Sequence, residues 1–397
     1  MLIILQMKMI LLEFRMISED KIKFLMPTYL KPLSLIFFFL MTIDAIAQKI
    51  EKNNNEFDGP YLIYQGDSIL VKSVDYKSVN APVQVRSYAQ KNKGNIKIEV
   101  KFSDFPDKNF QVDLRKNITN EPSVWKQPEK MFVISDIEGE FDAFRNLLLA
   151  NKIINEKYEW TFGKGHVVVC GDLFDRGKEV PATLWLLYKL EDAAKTKGGY
   201  VHTILGNHDI MNLAGNLKYL DKKYLKSAEL MNVSYNNLYD ENTELGRWLR
   251  SKNLIEKIGD NLCLHGGLSP EVNDLKLSVP ELNRLSKPYI GWKDLKNTVT
   301  DKKILDIFSS TIGLFWYRGY FKEPPLEESV VVQTLKMYQV KRIIVGHTIL
   351  KNNISFYYNG KVLAVDVNQH EGDHQAVLYE NKQWYKLDLT GSKNQLK

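Results

Sequence analysis

From residue 130 onward the chain sets short, unbroken apolar runs between polar turns and amphipathic stretches. Met131-Phe132-Val133-Ile134 and Val167-Val168-Val169-Cys170 lack polar alternation, as strands covered on both faces must. Residues 200–205, 261–264 and 341–345 repeat the pattern. Between the first three runs, 141–151 and 181–195 place apolar residues at helical spacing. Repeated strand–turn–helix units predict a layered α/β body. Residues 211–254 read as mostly helical with Tyr-rich irregular stretches, and 354–379 close the chain as a β meander.

Upstream the texture differs. Residues 61–64, 68–71, 83–85 and 96–100 are short and strand-like, separated by Gly- and Asp-containing turns. They predict a β-rich segment within 48–128, either a separate module or strands added to the main sheet. It ends in a linker over 117–128 marked by Pro122 and Pro128. Further upstream, Lys31 precedes an apolar run over 33–43, too short to span a bilayer comfortably. Small residues follow in Ala45-Ile46-Ala47, so 1–47 reads as a secretory signal, with 1–25 before Met26 as an over-long gene start. The alternatives are a buried N-terminal helix and an uncleaved anchor. The expectation is an exported, periplasmic or secreted protein without stable membrane insertion after cleavage.

The chemistry gathers where the apolar runs stop. Five runs end in clusters of metal-type side chains: Asp136-Ile137-Glu138-Gly139, Gly171-Asp172-Leu173-Phe174-Asp175-Arg176-Gly177, Gly206-Asn207-His208-Asp209, His265-Gly266-Gly267 and Gly346-His347-Thr348. Charged groups at the ends of buried strands are costly unless something pairs them, and a shared cation site would pair all five. One such cluster is weak evidence; five in series are not a coincidence of strand ends.

In order and spacing these clusters resemble the calcineurin-like metallophosphoesterases, in particular the phosphoprotein phosphatase type with its GlyAspXaaXaaAspArgGly element. Leu314-Phe315-Trp316-Tyr317-Arg318-Gly319-Tyr320 is similar to an element of the Shewanella-like subgroup, which includes enzymes acting on phosphotyrosine. The resemblance implies a β-sandwich flanked by helices in four layers (αββα) over 129–390, with 211–255 as a helical cap insertion and the β-rich segment as an N-terminal extension. It implies two divalent cations, manganese first, with iron or zinc as alternatives. Asp136, Glu138 and Asp172 would hold one; Asp172, Asn207, His265 and His347 the other. A water shared between them would attack phosphorus. His208 would be the general acid, Asp175 its orienting partner, and Arg176 a two-oxygen phosphate clamp, with Asn207 and Arg318 as further substrate contacts.

Plainer readings stand beside these. Arg176 could pair with Asp175 at the surface, His208 could be structural, and Arg318 could form a salt bridge beneath Trp316. His370 and His374 read as an exposed loop or an approach to the site, and the 211–254 tyrosines as core or as stacking platforms. His166 and His202 receive no role. Glu138 stands where the family usually has His; a carboxylate hardens that position and favours manganese or magnesium. Asp209 stands where the family often has Glu, and reads as a support for the ligands.

Composition narrows the rest. The 397 residues carry a formal charge of +6 spread along the chain, and nothing marks a nucleic-acid site. Two cysteines, Cys170 and Cys263, each within an apolar run, read as buried thiols. The expected protein is a monomeric phosphomonoesterase acting on phosphorylated protein, at tyrosine or at serine and threonine. Alternatives are a small-molecule phosphatase, nucleotidase or dinucleoside polyphosphate hydrolase, or a non-catalytic metal-binding surface protein.

Overall fold

The computed structural model describes residues 56–351 and 353–397; the expected export signal at 1–47 lies outside the described residues. Among the described residues no helix is long and apolar enough to cross a membrane.

Three N-terminal strands, β1 (Phe57–Gln65), β2 (Ser68–Asp75) and β3 (Val83–Ala89), form an antiparallel sheet, and β4 (Lys97–Val100) pairs with β5 (Phe110–Asp113). The remaining strands are β6 (Val124–Trp125), β7 (Lys130–Ile134), β8 (His166–Cys170), β9 (Tyr200–Ile204), β10 (Ile255–Ile258), β11 (Asn261–Leu264), β12 (Arg342–Val345), β13 (Ser355–Tyr357), β14 (Val362–Ala364), β15 (Gln375–Glu380), β16 (Gln383–Asp388) and β17 (Lys393–Gln395). They build two six-stranded sheets, ordered β17-β16-β15-β7-β8-β9 and β13-β14-β12-β11-β10-β6.

Alternation along each strand decides which face meets which layer. Met131, Val133, Val168, Cys170 and Ile204 of one sheet share an apolar cluster with Ile258, Cys263, Ile344 and Leu363 of the other, filling the sandwich. Phe132, Ile134, Val167 and Val169 point the opposite way and share a cluster with Phe144 and Leu147 of α1 (Phe141–Ala150) and Leu184 and Leu187 of α2 (Val180–Thr196). Leu262, Leu264, Ile343 and Val345 are matched by Val331 and Leu335 of the helix Glu328–Tyr338. Burying each such side chain contributes about 1.5–3 kcal/mol. The result is the four-layer helix–sheet–sheet–helix architecture. Cys170 and Cys263 are buried free thiols.

The N-terminal strands join neither large sheet. They pack on the helical layer instead: Trp185 Nε1 donates to the Pro60 carbonyl at 2.9 Å. Arg115 reaches Glu191 of α2 at 2.8 Å, and Glu191 also holds the buried Lys252 at 2.7 Å. Removing one member of a buried ionic set of this kind costs about 3–5 kcal/mol. Within the 117–128 stretch, β6 pairs in parallel with β10, Val124 opposite Lys257. Two residues between prolines are too short for a periodic signal.

Residues 211–255 hold α3 (Asn207–Leu213), which begins just before them, α4 (Lys222–Leu230) and α5 (Glu244–Arg250). Asp221 caps α4 through the Lys223 N–H, and Thr243 caps α5 through the Gly246 N–H. Tyr224, Tyr235 and Tyr239 are buried. Tyr219 alone of these is substantially open, at 40% exposure.

Candidate metal centre

Parallel pairing brings the ligand clusters level. Ile134 lies opposite Val169 and Cys170 opposite Ile204, so the turns after β7, β8 and β9 leave one edge together. In the second sheet Leu264 lies opposite Val345, which aligns His265 and Gly346 one residue further on. Backbone bonds tie the turns: Asp136 N–H donates to the Gly171 carbonyl, Glu138 N–H to Asp172, and Gly346 N–H to His265, at 3.0, 3.0 and 2.9 Å. Asp136, Glu138, Asp172, Asp175, Arg176 and His347 all have positive φ, between 48° and 76°. Such backbone costs of order 1–3 kcal/mol per residue and gathers at functional sites. Gly206 is required by proximity: a Cβ there would lie 2.2 Å from Asp172 Oδ1.

Asp172 is at the centre. Its Oδ1 accepts the His208 N–H at 2.8 Å, and its Oδ2 is 3.0 Å from His265 Nε2. Two compact donor groups share it: Asp172 with His265 and His347, and Asp172 with Glu138 and His208. Asp136 Oδ2 accepts the His347 N–H at 3.1 Å, joining the two sheets. His265 is orientated for a ligand's role, since its Nδ1 is held by the Cys170 carbonyl at 2.7 Å and its Nε2 faces inward.

The donor set fits a pair of cations. The side-chain amide of Asn207 lies 2.9 Å from His265 Nε2 and 2.7 Å from His347 Nδ1. An amide, two imidazoles and the Asp172 carboxylate thus converge on one point, the mixed oxygen and nitrogen set that a borderline divalent cation takes. The carboxylates carry the same signature. Burial, followed by like charge, pushes Glu138 up to about 8, and burial with Asp172 nearby pushes Asp136 up to about 6. Burial works against charge on His265, but Asp172 and Asp136 outweigh it and raise the imidazole to about 10. A cation arriving there displaces that proton.

His208 Nδ1 meets Asp175 Oδ2 at 2.6 Å, and its Nε2 lies 3.9 Å from both Glu138 and Asp172. Burial opposes its protonation; the Asp175 hydrogen bond and the Asp172 and Glu138 charges prevail, lifting it to about 9. Arg176 pairs with Glu138 rather than with Asp175. The salt bridge imagined beneath Trp316 is likewise replaced: Arg318 donates to the His347 carbonyl and, at 3.1 Å, to Thr348 Oγ1, which holds its guanidinium at the wall of the site.

Asp209 is the ligand support its position implied, and two further residues, Asn212 and Asp366, matter more than their sequence context suggested. Asp209 accepts backbone N–H groups from Gly206, Asp172, Leu173 and Phe174 at 2.7, 3.1, 2.8 and 3.3 Å, clamping two ligand loops together. Asn212 donates to Asp175 Oδ1 at 2.8 Å and accepts from the Tyr235 hydroxyl at 3.0 Å, so a buried tyrosine stands behind the His208–Asp175 pair. Asn212 sits one helical turn after His208 on α3, which the i+4 spacing could have flagged. Asp366 is buried just beyond β14, and burial followed by the charges of Asp136 and Glu138 pushes its carboxyl well above the ordinary range. His370 pairs with Glu140 at 2.7 Å and His374 with Gln369 at 3.3 Å. His166 opens β8, at the opposite end from the ligand turns, and adjoins His202, which bonds Glu256 at 2.7 Å.

The family model for calcineurin-like phosphoesterase matches residues 130–350. The chain is 28% identical over 296 residues to Shewanella-like protein phosphatase 1 of Plasmodium berghei, covering 71% of this chain and 78% of that one. It is 24% identical over 293 residues to Shewanella-like protein phosphatase 2 of Arabidopsis thaliana, covering 62% and 73%. Among solved structures it is similar to the cold-active protein-tyrosine phosphatase of a psychrophilic Shewanella species, with a TM-score of 0.77 at 32% identity over 86% of this chain and all of that one.

Proposed function

The chain belongs to the calcineurin-like phosphoesterase family and is a metal-dependent phosphoesterase, and from that premise we propose that it removes phosphate from phosphorylated protein side chains, phosphotyrosine foremost, at a centre of two divalent cations. The observation that carries this reading is His208 held by Asp175 at 2.6 Å, its Nε2 3.9 Å from Glu138 and Asp172, next to the donor group of Asp172, His265 and His347. A purely structural metal site needs no such acid.

Asp136, Glu138 and Asp172 would hold one cation; Asp172, Asn207, His265 and His347 the other. When bound, such a pair acidifies water and cancels charge on the transferring phosphoryl group. The chain's own residues do the rest. Asp175 fixes the His208 ring and keeps a proton on Nε2, ready for the departing oxygen. Arg176 and Arg318 stand at the site's wall as phosphate-orientating groups. For Arg176 this requires exchanging Glu138 for substrate oxygens, so the carboxylate keeps the guanidinium in place until substrate arrives.

The preference for an aryl ester rests on Tyr219. Its ring centroid is 5.1 Å from that of His208, and it is the open tyrosine of its segment. An aryl leaving group protonated by His208 would lie against it. Tyr219→Ala is expected to raise KM for a phosphotyrosine peptide about threefold to tenfold, the worth of one aromatic pair, with phosphoserine turnover nearly unchanged. Equal effects on both peptides would remove the aryl argument.

Glu138 brings a second expectation. Its hard oxygen donor favours manganese over zinc at that position. Apoprotein reconstituted with Mn2+ should turn over substrate faster than the same protein given Zn2+ alone; the opposite ranking would count against Glu138 as a ligand. The general reading is tested by presenting the Mn2+-loaded protein with phosphotyrosine and phosphoserine peptides, nucleotides and bis-nucleotides. The highest kcat/KM should fall on phosphotyrosine. A bis-nucleotide preferred over every peptide would replace the protein substrate with a small-molecule one.

A further inference from the structure

The first-cation position is crowded with carboxylates beyond those its motif accounts for. β12 and β14 run parallel, with Val345 opposite Ala364, and the Val365 N–H extends the ladder to the Val345 carbonyl at 2.8 Å. Continuing in register sets Asp366 level with His347, whose own N–H is held by Asp136. Asp366 is 2% exposed, and its Oδ1 makes no hydrogen bond. A buried carboxylate oxygen without a partner is rare and costly, so it calls for an explanation.

The surroundings supply one. Burial first, then the charges of Asp136 and Glu138, push the Asp366 carboxyl well above its ordinary range; Asp172 adds to this and His265 opposes it. Arg318 feels the charges of Asp136, Asp366 and Asp172, while its Nη1 is committed to the His347 carbonyl and Thr348 Oγ1. Arg176 meanwhile occupies one oxygen of Glu138. Asp136, Glu138 and Asp172 thus follow β7 and β8 of one sheet, and Asp366 follows β14 of the other, level with His347.

We propose that Asp366 is a cation ligand, completing with Asp136, Glu138 and Asp172 an all-carboxylate position for the first of the two metal ions. This rests on the dinuclear reading given above and deepens it. The position is built from both sheets, and its oxygen-only donors select a hard divalent ion such as Mn2+ or Mg2+ over Zn2+. The second position, with two imidazoles, has no such bias. Asp366 also offsets the partial loss of Glu138 to Arg176.

The test is metal binding to the full chain, independent of turnover. Apoprotein, Asp366→Asn and Asp366→Ser are titrated with Mn2+ and with Zn2+ by calorimetry, metal content is counted after gel filtration, and melting is followed with and without Mn2+. Wild type should hold two equivalents of Mn2+. Asp366→Asn should bind one of them at least tenfold more weakly, with the other unchanged, and its Mn2+-induced gain in Tm should shrink. Its metal-free Tm should equal or exceed that of wild type, because like-charge crowding is relieved; this also verifies the fold. The serine variant, which leaves room for water, repeats the measurement should asparagine not be accommodated. Two equivalents bound by a folded variant at wild-type affinity overturn the inference and leave the dinuclear reading standing. Fewer than two equivalents in wild type overturn both.

Discussion

Asp172→Asn is expected to abolish turnover, by about a thousandfold or more in kcat/KM, and to empty both cation positions together. Asparagine preserves the shape of the side chain and can still accept the His208 N–H that Asp172 Oδ1 accepts at 2.8 Å. What it removes is the negative charge shared by the two donor groups. Among the described residues no other belongs to both groups, so this change should lower affinity for two metal ions at once. Metal content after gel filtration and circular dichroism of the same sample separate loss of metal from loss of fold. A folded variant that kept two equivalents and more than a tenth of its activity would mean that Asp172 does not bridge.

The second large effect is at His208. His208→Asn should lower kcat by about 10²–10⁴ while leaving metal content and KM close to wild type. The loss should be smaller for p-nitrophenyl phosphate than for phosphoserine, because a good leaving group needs less help from an acid. His208 also forms a compact group with Glu138 and Asp172, so a ligand's role competes with the acid's. The geometry separates them: Nδ1 is held by Asp175 at 2.6 Å, while Nε2 stays 3.9 Å from the two carboxylates. If His208→Asn lost one metal equivalent, the residue would be a ligand and the acid would have to be found elsewhere.

The sign of the pH effect follows. A general acid works while protonated, so kcat falls as pH rises through the His208 pKa. That value is lifted from 6.5 to about 9, against burial, by the Asp175 hydrogen bond and by Asp172 and Glu138. Bound cations would cancel the last two, which sets the basic limb between those values. Asp175→Asn removes the remaining support and should move the limb to lower pH. An unmoved limb would detach it from His208.

Much of this centre was legible because its ligands stand immediately after buried strands. An unbroken apolar run followed by Gly, Asp, Asn or His is a local pattern, and five in series carry the family resemblance with them. Asp209 was legible as a ligand support and Asn212 was not, though both lie within a helical turn of His208. Their roles depend on which backbone N–H groups and which carboxylate the second loop presents. Arg176 illustrates the reverse: its motif was plain, but its partner is Glu138, thirty-eight residues earlier, rather than the adjacent Asp175.

The amino-acid order by itself determined the alternation of strands and helices, the two-faced burial of the central strands, and the cluster at each strand end. These follow from periodicity and from the cost of burying charge, both local properties. The tertiary structure alone decided which tyrosine of the 211–254 segment is open, since the same amphipathic side chain serves as core at Tyr224 and as surface at Tyr219. It alone placed the N-terminal strands on the helical layer instead of in a main sheet. It alone set Asp366 level with His347, because a single carboxylate in an apolar meander gains its meaning only when parallel pairing brings a distant strand end level with its own.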